Sequence, residues 1–166
     1  MDLVVSCMQE ATLCYILDDG RVLLIEKRRG LGSGLYNGPG GKIEPGETPR
    51  EAIRREVREE VGLEVVDPTK HAELTFTHDG DRVLFVHVFR ATDYEGTPRP
   101  SPEAQPVWFE RGQLPYDEMW EDDHLWLPAV LEGEMLVGEF AFEGGASLDD
   151  AEFVDHTIEP AGGRFG

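Results

Sequence analysis

The chain has 166 residues, the size of one ordinary domain, and 40% of them are hydrophobic against 30% charged, enough apolar side chain to build a core. Fifteen Lys and Arg stand against thirty-four Asp and Glu, a net charge of -19. That balance excludes a protein that coats a nucleic acid polymer or an acidic membrane surface, since both partners demand a basic footprint. No apolar run approaches the ~18 residues of a membrane helix, and no basic stretch leads into an apolar one at the start, so the expected compartment is cytoplasmic. Cys7 and Cys14 are too few for a disulfide framework, and Cys14, inside an apolar run, reads as core. The cations are mostly Arg; the only lysines are Lys27, Lys42 and Lys70. Abundant acid with scarce Lys is the surface style of halophilic proteins, and a gain of stability in concentrated salt is expected.

In chain order, Ala11–Leu17 and Val22–Ile25 flank Asp18-Asp19-Gly20 and predict a β-hairpin within 10–28. The stretch from Gly30 to Gly46 is dense in glycine and reads as a long functional loop. Thr48, Pro49 and Glu51 form a capping box with proline at the first helical position, which predicts a helix running to Val61 and stopping at Gly62. Strands are expected at 72–77 and 82–90 around an Asp79-Gly80 turn, a Pro-rich loop over 97–106, and a short strand over 107–110. A helix over 122–132 carries Pro128, where a kink or an early start is expected; strands at 134–142 and 150–158 complete the pattern. The order predicts one α/β (α+β) domain over 1–160, a mixed sheet with helices packed on it, followed by a flexible tail at 161–166.

The predicted helix carries the chemistry. At 100° per residue Ile53, Val57 and Val61 share the core-facing arc, and Glu56, Glu59 and Glu60 crowd a second arc beside it. Three carboxylates so placed repel one another unless a cation neutralises them, and hard divalent ions prefer such oxygen ligands. A solvated acidic helix face is the alternative. The preceding Gly40-Gly41 pair favours the site, because backbone without a Cβ can approach a metal or a phosphate.

Gly41, Glu47, Arg55-Glu56-Val57, Glu59-Glu60 and Gly62-Leu63 match every fixed position of the pattern Gx5Ex7REUxEExGU, and the chain resembles the Nudix hydrolase family. Tyr36–Lys42, Val86–Phe89, Trp108-Phe109, Met119-Trp120, Asp122-Asp123 and Trp126 resemble its MutT-like branch that acts on oxidised purine nucleoside triphosphates. Pro39 departs from that branch's mammalian members, which carry an aromatic there. The resemblance implies a Nudix fold, a mixed β-sheet sandwiched between helices. It also implies hydrolysis of a nucleoside triphosphate to monophosphate and pyrophosphate with Mg²⁺, or Mn²⁺, as cofactor.

By the same resemblance Glu56, Glu59 and Glu60 are the catalytic and metal-holding carboxylates, with the carbonyl of Gly40 and the loop carboxylate Glu103 beside them. Glu47 and Arg55 brace loop against helix. Lys27, Lys42, Gly40 and Gly41 face phosphates, with Arg28 as a substitute for Lys27. Asn37 offers a donor and an acceptor to a purine edge. Of Asp122 and Asp123, one caps the second helix, and the other, if buried, stays protonated and donates to the base. Trp120 offers a stacking face; Thr12, Leu13 and Leu31 line the pocket; Trp108 and Trp126 belong to the core. The expected partner is a small nucleotide, and the chain a monomer or a dimer. Other (d)NTPs, dinucleoside polyphosphates or ADP-ribose are the competing substrates, and a non-catalytic nucleotide sensor the competing class.

Overall fold

A computed structural model describes residues 8–30 and 32–165, so Cys7 and Leu31 lie outside the described residues. The first hairpin pairs β1 (Gln9–Asp18) with β2 (Arg21–Lys27). Asp19 and Gly20 at its tip both have positive φ, 50° and 77°, the pair a tight hairpin turn of right-handed twist requires. The glycine-dense stretch is not wholly loop. It contains β3 (Tyr36–Asn37), paired with β2, and β4 (Gly40–Lys42), paired with β1. Apart from Tyr36 these residues have little strand propensity of their own; the pairing edge is supplied by β1 and β2.

Helix α1 (Pro49–Val61) has the expected capping box at Thr48 and Glu51 and ends on Gly62 in the left-handed region at φ 75°. Two-residue strands β5 (Glu64–Val65) and β8 (Tyr94–Glu95) form a separate small ribbon across the chain that holds β6 (Thr69–His78) and β7 (Asp81–Ala91). The 97–106 segment is shorter as a loop than expected. Strand β9 (Ala104–Glu110) begins three residues before Val107 and runs through Pro106, which is tolerated because β9 pairs only with β2 and keeps a free edge. Helix α2 (Asp123–Leu131) contains Pro128, and β10 (Leu136–Glu143) and β11 (Glu152–Pro160) follow. After Pro160, residues 161–165 close a turn in which Arg164 Nε reaches Glu73 Oε1 at 2.9 Å.

The main sheet runs β11-β10-β6-β7-β1-β2-β3, with β4 on β1 and β9 on β2. It is mixed: β1 and β7 are parallel, as are β6 and β10, and the other pairs are antiparallel. Strands β1 and β2 are buried on both faces, which explains their continuous apolar runs. Cys14, Ile16, Leu23 and Ile25 pack against Ile53, Val57 and Val61 of α1. Tyr15, Val22 and Leu24 face the opposite way, toward Trp126, Leu127 and Val130 of α2. The sheet is therefore sandwiched between the two helices. Among the described residues no helix is long and apolar enough to cross a membrane.

Candidate active site

Strand β4 lies so close to β1 that glycine is obligatory at position 40. A Cβ on Gly40 would fall 1.9 Å from the carbonyl oxygen of Thr12, and one on Gly41 would fall 2.5 Å from Glu56 Oε2. The free Gly40 amide instead donates to Glu60 Oε1 at 2.7 Å, and Thr12 Oγ1 donates to the Gly41 carbonyl at 3.0 Å. This joins the loop to α1. The apolar stripe of the helix faces the sheet, so the carboxylates beside it are graded in exposure. Glu60 is buried, Glu56 is half-buried, and the Glu59 side chain is 59% exposed.

Arg55 organises this face. Its Nε and Nη2 donate to the two Glu47 oxygens at 2.7 and 2.9 Å, Nη2 also to the Lys42 carbonyl at 3.1 Å, and Nη1 to Glu56 Oε1 at 2.7 Å. Glu59 Oε2 is 3.3 Å from the same Nη1, an i, i+4 pair on the helix surface. The Arg55 hydrogen bonds hold the Glu47 carboxyl down at about 2. Burial outweighs Arg55 at Glu56 and raises its pKa. At Glu60 burial outweighs the Gly40 amide and pushes the carboxyl up to about 8, with the neighbouring Glu56 and Glu103 charges adding to the rise.

Among the described residues no three carboxylate, imidazole or thiol side chains converge into a ready-made metal cage. The donor set nonetheless fits a hard divalent cation. Glu56 and Glu60 are partly desolvated carboxylates, each Coulombically disfavoured by acidic neighbours, beside two glycines whose backbone is unshielded. Such an arrangement gains from a cation that completes its shell with water and phosphate oxygens. Glu103 lies on the exposed loop just before β9, near enough for its charge to bear on both.

From Glu60 a cleft of about 470 Å³ runs between the sheet and α2. Lys27, Lys42, Gly40 and Gly41 line the carboxylate end; Asn37, Trp120, Asp122 and Asp123 line the other; Thr12 and Leu13 lie between. Lys27 lines the cleft with Glu60 and its charge opposes the rise of that carboxyl's pKa, whereas Arg28 Nη2 turns to Gln105 Oε1 at 3.3 Å in an exposed pair. The cleft thus gathers Glu60 with the predicted site residues of the loop, the first strands and α2; Glu56, Glu59 and Glu103 do not line it, and Glu47 and Arg55 brace the helix face beside it.

The capping role expected of one aspartate is not found. Asp122 stands at the N-cap of α2 in helical conformation, and its side chain makes no capping bond. Its Oδ2 instead accepts from Trp126 Nε1 at 2.8 Å, and both aspartates are buried, with Asp122 Oδ1 and Asp123 Oδ2 lacking a partner among the described residues. Burial pushes Asp122 up to about 6, and burial together with the Asp122 charge raises Asp123 well above the carboxylate range. Burial and mutual repulsion thus both favour a proton kept on the pair. Trp126 is core, as expected, and also reaches the cleft; Trp108 is only half-buried, on the α1 side, with Arg21 5.2 Å from its ring.

Two contributors escape sequence reasoning. Tyr15, in the middle of an apolar strand, donates its hydroxyl to Asn37 Oδ1 at 3.1 Å. Asp149 Oδ1, from the turn after β10, accepts from the Gly32 amide at 2.7 Å, and Gly32 in turn sits against Trp120. Both contacts are long-range, and neither residue has a local signature.

Residues 8–130 match the family model described as the NUDIX domain. The chain is 45% identical over 149 residues to the oxidized purine nucleoside triphosphate hydrolase of Danio rerio, covering 89% of this chain and 92% of that protein. It is 41% identical over 133 residues to the enzyme of the same name from Mus musculus, covering 80% and 85%. The fold superimposes on the MutT mutator protein of Bacillus halodurans with a TM-score of 0.75 at 26% identity, covering 92% and 98%. With its glycine-bound carboxylate helix, mixed sheet and matched family model, the chain belongs to the Nudix family of hydrolases.

Proposed function

We propose that the protein hydrolyses oxidised purine nucleoside triphosphates of the 8-oxo-dGTP and 2-hydroxy-dATP type to the monophosphate and pyrophosphate, removing damaged bases from the nucleotide pool. One observation carries this reading: a single cleft has Glu60 and two lysines at one end and a buried aspartate pair, whose burial favours keeping a proton, at the other. A nucleotide spanning it sets its phosphates beside α1 and its base against Asp122 and Asp123. The activity in the names of the Danio rerio and Mus musculus relatives supports the same reading.

In this reading Glu56, Glu59 and Glu60, with the Gly40 carbonyl and Glu103, hold Mg²⁺ or Mn²⁺, which when bound draws charge from the phosphates and makes an attacking water more acidic. One of the three helix carboxylates accepts that water's proton as its oxygen attacks phosphorus and the bond to pyrophosphate breaks. Lys27 and Lys42 bind phosphate oxygens. Arg55 and Glu47 keep Glu56 aimed across Gly41. At the far end the protonated aspartate donates to a base carbonyl, its ionised neighbour accepts from a ring N–H or amino group, and Trp120 stacks.

The test is a substrate panel with Mg²⁺: 8-oxo-dGTP, 2-hydroxy-dATP, dGTP, dCTP and ADP-ribose. The oxidised purines are expected to have the highest kcat/KM. Faster turnover of dCTP or ADP-ribose overturns the assignment.

A further inference from the structure

Tyr15 stands where the alternation of β1 calls for an apolar residue, in the core layer facing α2, and it is fully buried. Its hydroxyl is 3.1 Å from Asn37 Oδ1. The Gly38 amide donates to the same Oδ1 at 2.9 Å. A backbone N–H is only ever a donor, so the Asn37 atom it meets must be the oxygen, and the Tyr15 hydroxyl must then donate as well. The approach is built into the chain: a Cβ on Gly38 would fall 3.0 Å from the Tyr15 ring. On its other side the ring packs edge-on against Trp126, 6.0 Å between centroids, and Trp126 holds Asp122. Burial, then the charges of Asp123 and Asp122, keep the phenol protonated and a donor at every physiological pH.

With both donors on Oδ1, the Asn37 amide has lost its freedom to flip. Its oxygen is engaged by protein, and what it can offer the cleft is its NH₂ group. We infer that Tyr15 is a positioning residue that, together with the Gly38 amide, makes Asn37 a donor-only reader, so that the cleft selects purines presenting an acceptor at that edge, a carbonyl oxygen or bare ring nitrogen, over purines presenting an amino group there. This rests on the proposed function and adds to it a ranking for bases that set position 6 against Asn37: a guanine-type oxidised base, with a carbonyl there, ahead of an adenine-type one, with an amino group there. The physical basis is that an amino group facing an NH₂ group leaves two donors unpaired in a desolvated site, which costs more than a missing contact.

The test is Tyr15→Phe, which keeps the ring against Trp126 and removes the hydroxyl. The Gly38 amide still engages Oδ1, so the ratio of kcat/KM for 8-oxo-dGTP over 2-hydroxy-dATP is expected to fall about two- to fivefold, through KM, with kcat held. An equal loss for both substrates, or an unchanged ratio, overturns the inference. A readout independent of turnover separates this claim from the proposed activity: the Asn37 side-chain carbonyl carbon resonance is expected to move upfield in the variant as a donated hydrogen bond is lost, and an unmoved resonance overturns the claim. Should Tyr15→Phe fail to fold, Asn37→Asp replaces the donor by an acceptor of the same shape; preference is expected to swing toward 2-hydroxy-dATP, and an unchanged preference overturns the inference.

Discussion

Arg55 and Glu47 are joined by two parallel hydrogen bonds, Nε to Oε2 at 2.7 Å and Nη2 to Oε1 at 2.9 Å, and the same guanidinium reaches Glu56 on the helix. The planar fork is what lets one side chain tie the loop carbonyl of Lys42, the loop acid and the helix acid together. Arg55→Lys cannot reproduce that geometry. Its kcat is expected to fall about ten- to a hundredfold with the helix content unchanged by circular dichroism.

The same pair makes a pH prediction for folding. Glu47 titrates at about 2 in the folded protein against 4.5 ordinarily, so the pairing stabilises the fold above pH 4.5 and the benefit drains away as pH falls toward 2. The melting-temperature gap between wild type and Glu47→Gln, measured at low salt, is expected to be widest above pH 5 and to close below pH 3.

Asp123 works in the opposite direction. Its carboxyl is raised by burial and by Asp122, so the folded state holds a proton that the unfolded chain has released above about pH 4. Stability therefore declines as pH rises from there toward the folded pKa. Asp123→Asn removes the cost, and its melting temperature is expected to fall less than that of wild type as pH rises above about 4. In activity assays the same variant is expected to lose discrimination among bases.

Asp149 anchors the glycine loop against the wall of the base end through the Gly32 amide at 2.7 Å, and a Cβ on Gly32 would fall 2.8 Å from Trp120 Nε1. Asp149→Ala frees that loop. KM is expected to rise several-fold and kcat to change little, because the carboxylates of α1 are not touched; steady-state kinetics with 8-oxo-dGTP decides it.

The surface charge predicts a salt response. With a net charge of -19, screening of carboxylate repulsion by KCl is expected to raise the melting temperature steadily into the molar range. A flat or falling curve contradicts a halophilic surface.

The α1 helix was readable nearly to the residue, because Thr48, Pro49, Glu51 and Gly62 signal its ends locally and Ile53, Val57 and Val61 mark its face. The hairpin turns at Asp19-Gly20 and Asp79-Gly80 were readable for the same reason. What stayed hidden depends on partners far along the chain. β3 and β4 exist because β2 and β1 offer edges, and Pro106 sits in a strand because β9 is an edge. Asp122 looked like a helix cap from its position, but Trp126 takes its oxygen within the buried interior. Likewise Tyr15 looked like one more apolar core residue, and only the fold brings it to Asn37.

The central claim is that the α1 carboxylates make a nucleoside triphosphate's phosphate linkage breakable with a divalent cation. The direct measurement follows the products of 8-oxo-dGTP for wild type and Glu56→Gln, with Mg²⁺ and with the cation chelated. Wild type with Mg²⁺ is expected to release monophosphate and pyrophosphate in equal amounts, with turnover lost on chelation and reduced about 10²- to 10⁴-fold in the folded variant. Release undiminished by either change, or no release of phosphate or pyrophosphate from any nucleotide offered, contradicts the account.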